Sequence, residues 1–170
     1  MDPDKTPQCA SVEPGESTTL GTTTDSPKPL RAATTWTATS PPLEVSRELI
    51  DTLVNVGGYS HPLFNPTPEK LANGVFAPLM GQGVLLLAGG LAERSGAMDD
   101  VIALLEFREV RFHAMITAGD RIHVVMTCLA TRVTSGGKRV SDYAWAVVDQ
   151  TGQTVLDAVV VMLRRAEGGD

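Results

Sequence analysis

The sequence predicts an α+β domain in which an antiparallel β-sheet wraps around a central helix. Three observations predict it. A mid-chain segment, "GVLLLAGGLAERSG", is apolar and of helical length. After it come long stretches with two-residue alternation, separated by the turn signals "AGD", "SGGK" and "DQTG". Before it lie short segments with helical spacing and clear caps. A buried helix followed by a strand meander has one economical packing, the sheet's apolar face against the helix.

The 170 residues, 42% hydrophobic and 20% charged, suit one globular domain with a tail. Residues 1–40, including "GESTTLGTTTDSPKPLRAATTWTATSPP", are rich in Thr, Ser, Pro and Gly. Such a segment buries too little apolar surface to offset the entropy of ordering it, so it reads as a disordered leader, with Trp36 able to dock on the domain. The domain is assigned to residues 41–166, and 167–170 to a flexible tail.

Each element has its own signal. In "SRELIDTLVNV", Leu49, Ile50, Leu53 and Val54 recur at helical spacing, Ser46 is the N-cap, and Gly57-Gly58 ends the helix. "NPTPEKLANG" is a helical turn with Thr67 as N-cap, Pro68 at its first position and Gly74 at its end. The central helix begins around Gly83 and closes at Gly96. Its all-round hydrophobicity predicts burial on every side. Residues 101–113 form a long strand. In "RIHVVMTCLATRV", Ile122, Val124, Met126, Cys128 and Ala130 alternate onto one face. "RVSDYAWAVV" returns from the hairpin, and "QTVLDAVVVMLRR" closes the meander.

Composition also excludes. A net charge of −6 and a pI near 5.0 are wrong for a nucleic-acid surface, which needs concentrated Lys and Arg. The two basic pairs, Lys138-Arg139 and Arg164-Arg165, read as solvated. No apolar run is long enough to cross a bilayer, and the N-terminus lacks a basic region followed by an apolar core. Cys9 and Cys128 form neither a disulfide framework nor a zinc-ligand spacing. The expectation is a cytoplasmic protein with no cofactor, no metal and no membrane or nucleic-acid partner.

Three stretches, read in order, carry a resemblance: "VGGYSHPLFNP" (56–66), "APLMGQGVLLLAGGL" (77–91) and "VRFHAMITAGDRIHVVMTCL" (110–129). Together they are similar to the MaoC-like branch of the hotdog fold, over nearly all of residues 43–165. The resemblance implies hydration or dehydration of acyl thioesters of coenzyme A or acyl carrier protein, in fatty-acid or polyketide metabolism. It also implies a dimer with a second hotdog subunit, identical or not. The family's catalytic loop reads, in outline, Gly-Asp-x-Asn-Pro-x-His, in which the Asp and His move protons on one side of a narrow tunnel. Here the proline is Pro62, so the histidine position is Phe64, the aspartate position is Tyr59, and His61 replaces the Asn. A one-residue insertion moves the aspartate position to Gly58 and restores no carboxylate.

The acid–base pair is thus missing, and two readings of His61 stay open. It is either a relocated base or a loop residue that hydrogen-bonds backbone groups before Pro62. Tyr59 is the second catalytic candidate. Ser60, Phe64, Asn65, Gln82, Gly83 and Val84 are the substrate-binding candidates. Gly83 and its neighbours head the central helix, where free N–H groups and the helix dipole favour a developing oxyanion. His113 and His123 read as structural, apart from each other and from any carboxylate cluster. Asp142 and Asp157 interrupt apolar alternations in roles that stay open. The functional readings are a hydratase or dehydratase with a non-standard site, a thioesterase or cyclase using the same tunnel, and a catalytically silent subunit with an active partner.

Overall fold

A computed structural model of the protein describes residues 36–166. The expected disorder of the leader and the tail falls at 1–35 and 167–170, outside the described residues. Two short strands, β1 (Thr37–Thr39) and β2 (Leu43–Glu44), precede α1 (Arg47–Gly57), α2 (Pro68–Ala72) and α3 (Gly81–Arg94). The long strands β3 (Val101–Phe112), β4 (Arg121–Val133), β5 (Arg139–Asp149) and β6 (Thr154–Arg164) follow. All pairings are antiparallel, in the order β1-β4-β5-β6-β3, with β2 also on β4.

The domain begins earlier than the sequence reading places it. Thr37 pairs with Thr127 and Thr39 with Val125. Ser40 is buried, its N–H donates to the Val124 carbonyl at 2.9 Å, and its Oγ accepts from the Val124 N–H at 2.9 Å. Trp36 packs against Tyr143, ring centroids 5.7 Å apart. Residues 36–40 therefore belong to the sheet and not to the leader. Thr- and Ser-rich composition hid a strand that backbone hydrogen bonds to β4, the Ser40 hydroxyl and the Trp36 ring hold in place.

The caps form as the sequence predicts. Ser46 Oγ accepts from Leu49 N–H at 3.1 Å, and Gly58, at φ 66°, closes α1 in the left-handed region. Thr67 caps α2, with Pro68 at its start. Helix α3 starts at Gly81, two residues before the expected point. It is not buried all round. Val84, Ala88, Leu91 and Ala92 face the core, while Leu86 on the other side is 63% exposed. The sheet covers only one face, which leaves Leu86 on the other open.

The core cluster joins that helical face to Met126, Tyr143, Trp145, Val147, Leu156 and Val160 of the sheet. The alternation on β4 ends one residue early: a register shift between Cys128 and Ala130 turns Ala130 out to solvent. A similar shift on β3 leaves Glu109 at φ 53°. The basic pairs are not simply solvated either. Arg139 and Arg164 converge on Asp100 at 2.6 and 2.7 Å, and tie β5 and β6 to the loop before β3. Asp142 is held by Arg108 at 3.1 Å and Arg132 at 3.4 Å, which assigns it a structural ionic role.

The Gly119-Asp120 turn is fixed by its carboxylate, whose oxygens accept from Thr117 N–H (2.7 Å), Thr117 Oγ1 (2.9 Å) and Gln150 Nε2 (2.8 Å). Partial burial pulls the Asp120 carboxyl up, but these hydrogen bonds outweigh it and hold it below the usual aspartate range. The unfolded chain therefore takes up its proton first as pH falls. Stability from Asp120 is present above the ordinary aspartate pKa and lost as pH falls through the lower folded value. Denaturation midpoints of wild type and Asp120→Asn should differ at neutral pH and converge in acid. Ser40→Ala leaves the buried Val124 N–H without its side-chain acceptor and should cost about 1–3 kcal/mol in urea unfolding. Unchanged stability would detach residues 36–40 from the fold.

Candidate functional site

The site is organised by the first turn of α3. Its N-cap residue is Met80, which supplies no side-chain hydrogen bond to the helix. The N–H of Val84 donates to Met80 O at 3.1 Å and begins the helical ladder. The earlier N–H groups, of Gly81, Gln82 and Gly83, have no intrahelical partner, as helix geometry requires. They are the donors available to an anionic oxygen. Val84 itself, a substrate-binding candidate, is 4% exposed and packs in the core, outside the lining of the pocket beside this helix end.

The glycines here are imposed by close approach. A Cβ on Gly83 would stand 2.6 Å from Met80 Sδ and 2.8 Å from Leu79 Cδ1. A Cβ on Gly81 would stand 2.8 Å from the Phe112 ring. The segment entering α3 is pinned by the bridge between Leu79 and Ile116, with Leu79 N–H donating to Ile116 O at 2.8 Å.

Beside this helix end lies a pocket of about 180 Å³, lined by Leu53, Val56 and Gly57 of α1, Tyr59 of the loop, and Met80, Gln82, Gly83 and Leu86. Tyr59 closes it. Its hydroxyl donates to Gln82 Oε1 at 3.2 Å, and its ring lies over Gly57 and edge-on to Phe64, centroids 5.0 Å apart. Three of the sequence candidates, Tyr59, Gln82 and Gly83, are thus brought together. The others are not.

His61 is exposed and does not line the pocket. Its Nδ1 accepts from Leu63 N–H at 3.1 Å, and its carbonyl accepts from the N–H groups of Phe64 and Asn65. These contacts match the loop-shaping reading of the imidazole. Ser60 is exposed as well. Phe64 and Asn65 line a different hollow, of about 370 Å³, with Arg47, Asp51 and Phe76. Asn65 Nδ2 donates to the Tyr59 carbonyl and so braces the loop from behind.

Sequence reading missed one pair. His113 Nε2 contacts Asp157 Oδ2, and Arg111 stands 3.7 Å from the same carboxylate. The sequence reading places His113 apart from any carboxylate cluster; a single carboxylate faces it. The two residues are 44 apart in the chain, and only the β3–β6 register, Arg111 opposite Asp157, brings them together. Asp157 alternates with the buried Leu156 and Ala158, so the pair stands on the sheet face away from α3. Among the described residues no three His, Cys, Asp or Glu side chains group as a metal site, and no helix is long and apolar enough to cross a membrane.

No family model matches the chain, and no curated protein matches it. Solved structures do. A MaoC-like dehydratase from Rhodospirillum rubrum superposes with a TM-score of 0.66 at 15% identity, over 79% of this chain and 94% of that one. The C-terminally truncated 3R-hydroxyacyl-ACP dehydratase complex HadBC of Mycobacterium tuberculosis gives 0.61 at 20% identity, over 76% and 95%. The chain has the MaoC-like hotdog fold. A Mycobacterium tuberculosis protein with a double hotdog fold superposes at 0.65 and 19% identity; the chain covers 44% of that protein, by 83% of its own length. At these identities the likeness is one of fold.

Within this hotdog, the pocket depends on Tyr59 staying wedged against α1. A Cβ on Gly57 would stand 2.5 Å from Tyr59 Cε2. Gly57→Ala should therefore swing the Tyr59 ring away and break its hydrogen bond to Gln82, seen as a shift of the Gln82 side-chain amide resonances. An unmoved Gln82 signal would show that Tyr59 does not hold it.

Proposed function

We propose that this chain is an acyl-thioester-binding subunit of the hydratase or dehydratase type, with the acid–base groups of the reaction contributed by a partner hotdog subunit. One observation carries the reading: the uncapped N-terminus of α3 borders an apolar pocket whose lining contains neither an imidazole nor a carboxylate. The carrier of the thioester is coenzyme A or an acyl carrier protein; both present the same carbonyl.

In hydration of a 2-enoyl thioester, hydroxide equivalent adds at the β-carbon and a proton at the α-carbon. Negative charge collects on the thioester oxygen between the two events. The N–H groups of Gln82 and Gly83, with the helix dipole behind them, suit that charge and need no side-chain chemistry. Tyr59 orients Gln82 and walls the pocket. Water activation and proton delivery require groups that titrate usefully, and this half-site lacks them.

The partner is supported by the sheet. β3 is an edge strand, unpaired on its outer side among the described residues, and Ile102, Leu104 and Leu105 on it are about half exposed. An apolar edge of this length calls for cover. The likeness to a two-component dehydratase complex and to a double hotdog points the same way.

The test uses the full-length chain with trans-2-enoyl thioesters. We expect binding without turnover by the chain alone, unaffected by His61→Ala and weakened several-fold by Gly57→Ala. Turnover by the chain alone that disappears in His61→Ala, with circular dichroism unchanged, would instead make His61 a displaced catalytic base.

A further inference from the structure

We propose that Asn73-Gly74, at the end of α2, is a self-modifying site, where the Asn73 side-chain amide is lost to attack by the Gly74 backbone at a rate set by the opening of α2. The inference is independent of the thioester-binding reading. Asn73 is the C-cap of α2 and is exposed, and its side chain makes no hydrogen bond among the described residues. Gly74 follows at φ 75°, with no Cβ to shield its nitrogen.

The chemistry needs only water as co-reactant. The Gly74 nitrogen loses its proton and attacks Asn73 Cγ. A bond forms between them, the Cγ–Nδ2 bond breaks, and the amide nitrogen leaves as ammonia with the proton that Gly74 gave up. Water then opens the cyclic imide at one of its two carbonyls. Opening at Cγ restores the chain as aspartate, whereas opening at the backbone carbonyl routes the chain through Cγ as isoaspartate. No atom changes oxidation state.

The chain carries its own comparison in its three asparagines, Asn55, Asn65 and Asn73. Asn65 precedes Pro66, whose nitrogen has no proton to lose. Asn55 precedes the β-branched Val56 and lies within α1, which the buried Ile50 and Val54 anchor. Of the three, Asn73 alone combines a glycine neighbour with a weakly anchored element.

The folded cap holds the reaction back. The N–H of Gly74 donates to Leu71 O at 3.0 Å and that of Val75 to Lys70 O at 2.9 Å, the paired bonds of a glycine-closed helix end. While they hold, the Gly74 nitrogen keeps its proton. Yet every residue from 67 to 76 is exposed, and α2 has five residues, too few to stand without packing. Its opening therefore lies at the low end of local stability. The product favours further opening, because a carboxylate at the C-terminal end of a helix opposes the dipole and stands four residues after Glu69. Leu71 and Phe76 line the hollow behind the Tyr59 loop, so the change loosens one wall of it.

Peptide mass spectrometry on the full-length protein, held in mildly alkaline buffer, tests this. Carboxyl methylation by an isoaspartyl methyltransferase is a second readout. Asn73 should convert about tenfold faster than Asn55 or more. A synthetic peptide of residues 66–76, without the folded cap, should convert several-fold faster than the protein. Thr67→Ala, which removes the N-cap of α2, should narrow that gap, and Asn73→Gln should abolish the methylation signal. An Asn73 that stays intact in the protein while the peptide is consumed overturns the site, as does a conversion no faster than that of Asn55. Equal rates in protein and peptide, or in Thr67→Ala and wild type, overturn the control by α2.

Discussion

The packing of α3 against the sheet is the constraint on which the rest of the molecule depends. Its inward face is built from small or branched residues, Val84, Ala88, Leu91 and Ala92, all nearly fully buried. They sit in the same cluster as Met126, Tyr143, Trp145, Val147 and Val160 from the sheet centre. Small residues let the helix axis come close to the strands. The glycines of its first turn let Leu79, Met80 and Phe112 close around the helix start. A helix held this firmly presents its first N–H groups in a fixed direction. A preorganised donor does not have to be reoriented when charge develops in front of it.

The outward face of the same helix is left unpacked by the sheet. Leu86 and the glycines after it give that face an apolar floor, with Gln82 at one end and Glu93 at the other. The loop before α2 then sets what stands over the helix start. That loop carries no carboxylate. Here a phenol and an aromatic ring, Tyr59 and Phe64, pack on each other and on α1. Tyr59 walls the pocket beside the helix start. The free N–H groups of the helix end depend on no side chain, because they belong to the backbone.

Much of the architecture is legible in the sequence because it is encoded locally. Ser46, Thr67 and Gly58 announce their helix ends through the backbone conformations that they favour. The turns at Gly119, Gly137 and Gly152 are marked by residues that tolerate positive φ. Strand alternation along β4 holds as far as Cys128. What escapes is what depends on a neighbour. Residues 36–40 have the composition of a linker, and their place in the sheet comes from Val124 and Thr127 on another strand. Leu86 is as apolar as Leu91 and ends on the opposite side, because only one face of the helix meets the sheet.

The candidate site divides in the same way. Sequence alone determined that a glycine-bounded apolar helix follows a loop of the Gly-Gly-x-x-His-Pro type, and that the loop carries no carboxylate. Both are matters of residue identity and spacing. Tertiary structure decided which candidates share a pocket. Tyr59 meets Gln82 because the loop that follows α1 passes the start of α3. His61, two residues away, turns outward because its ring nitrogen is taken by the backbone of its own loop. His113 and Asp157 meet only through the register of two strands that the sequence does not align. Local preference acts within a few residues of itself, whereas the direction of a side chain is set by whatever long-range packing leaves beside it.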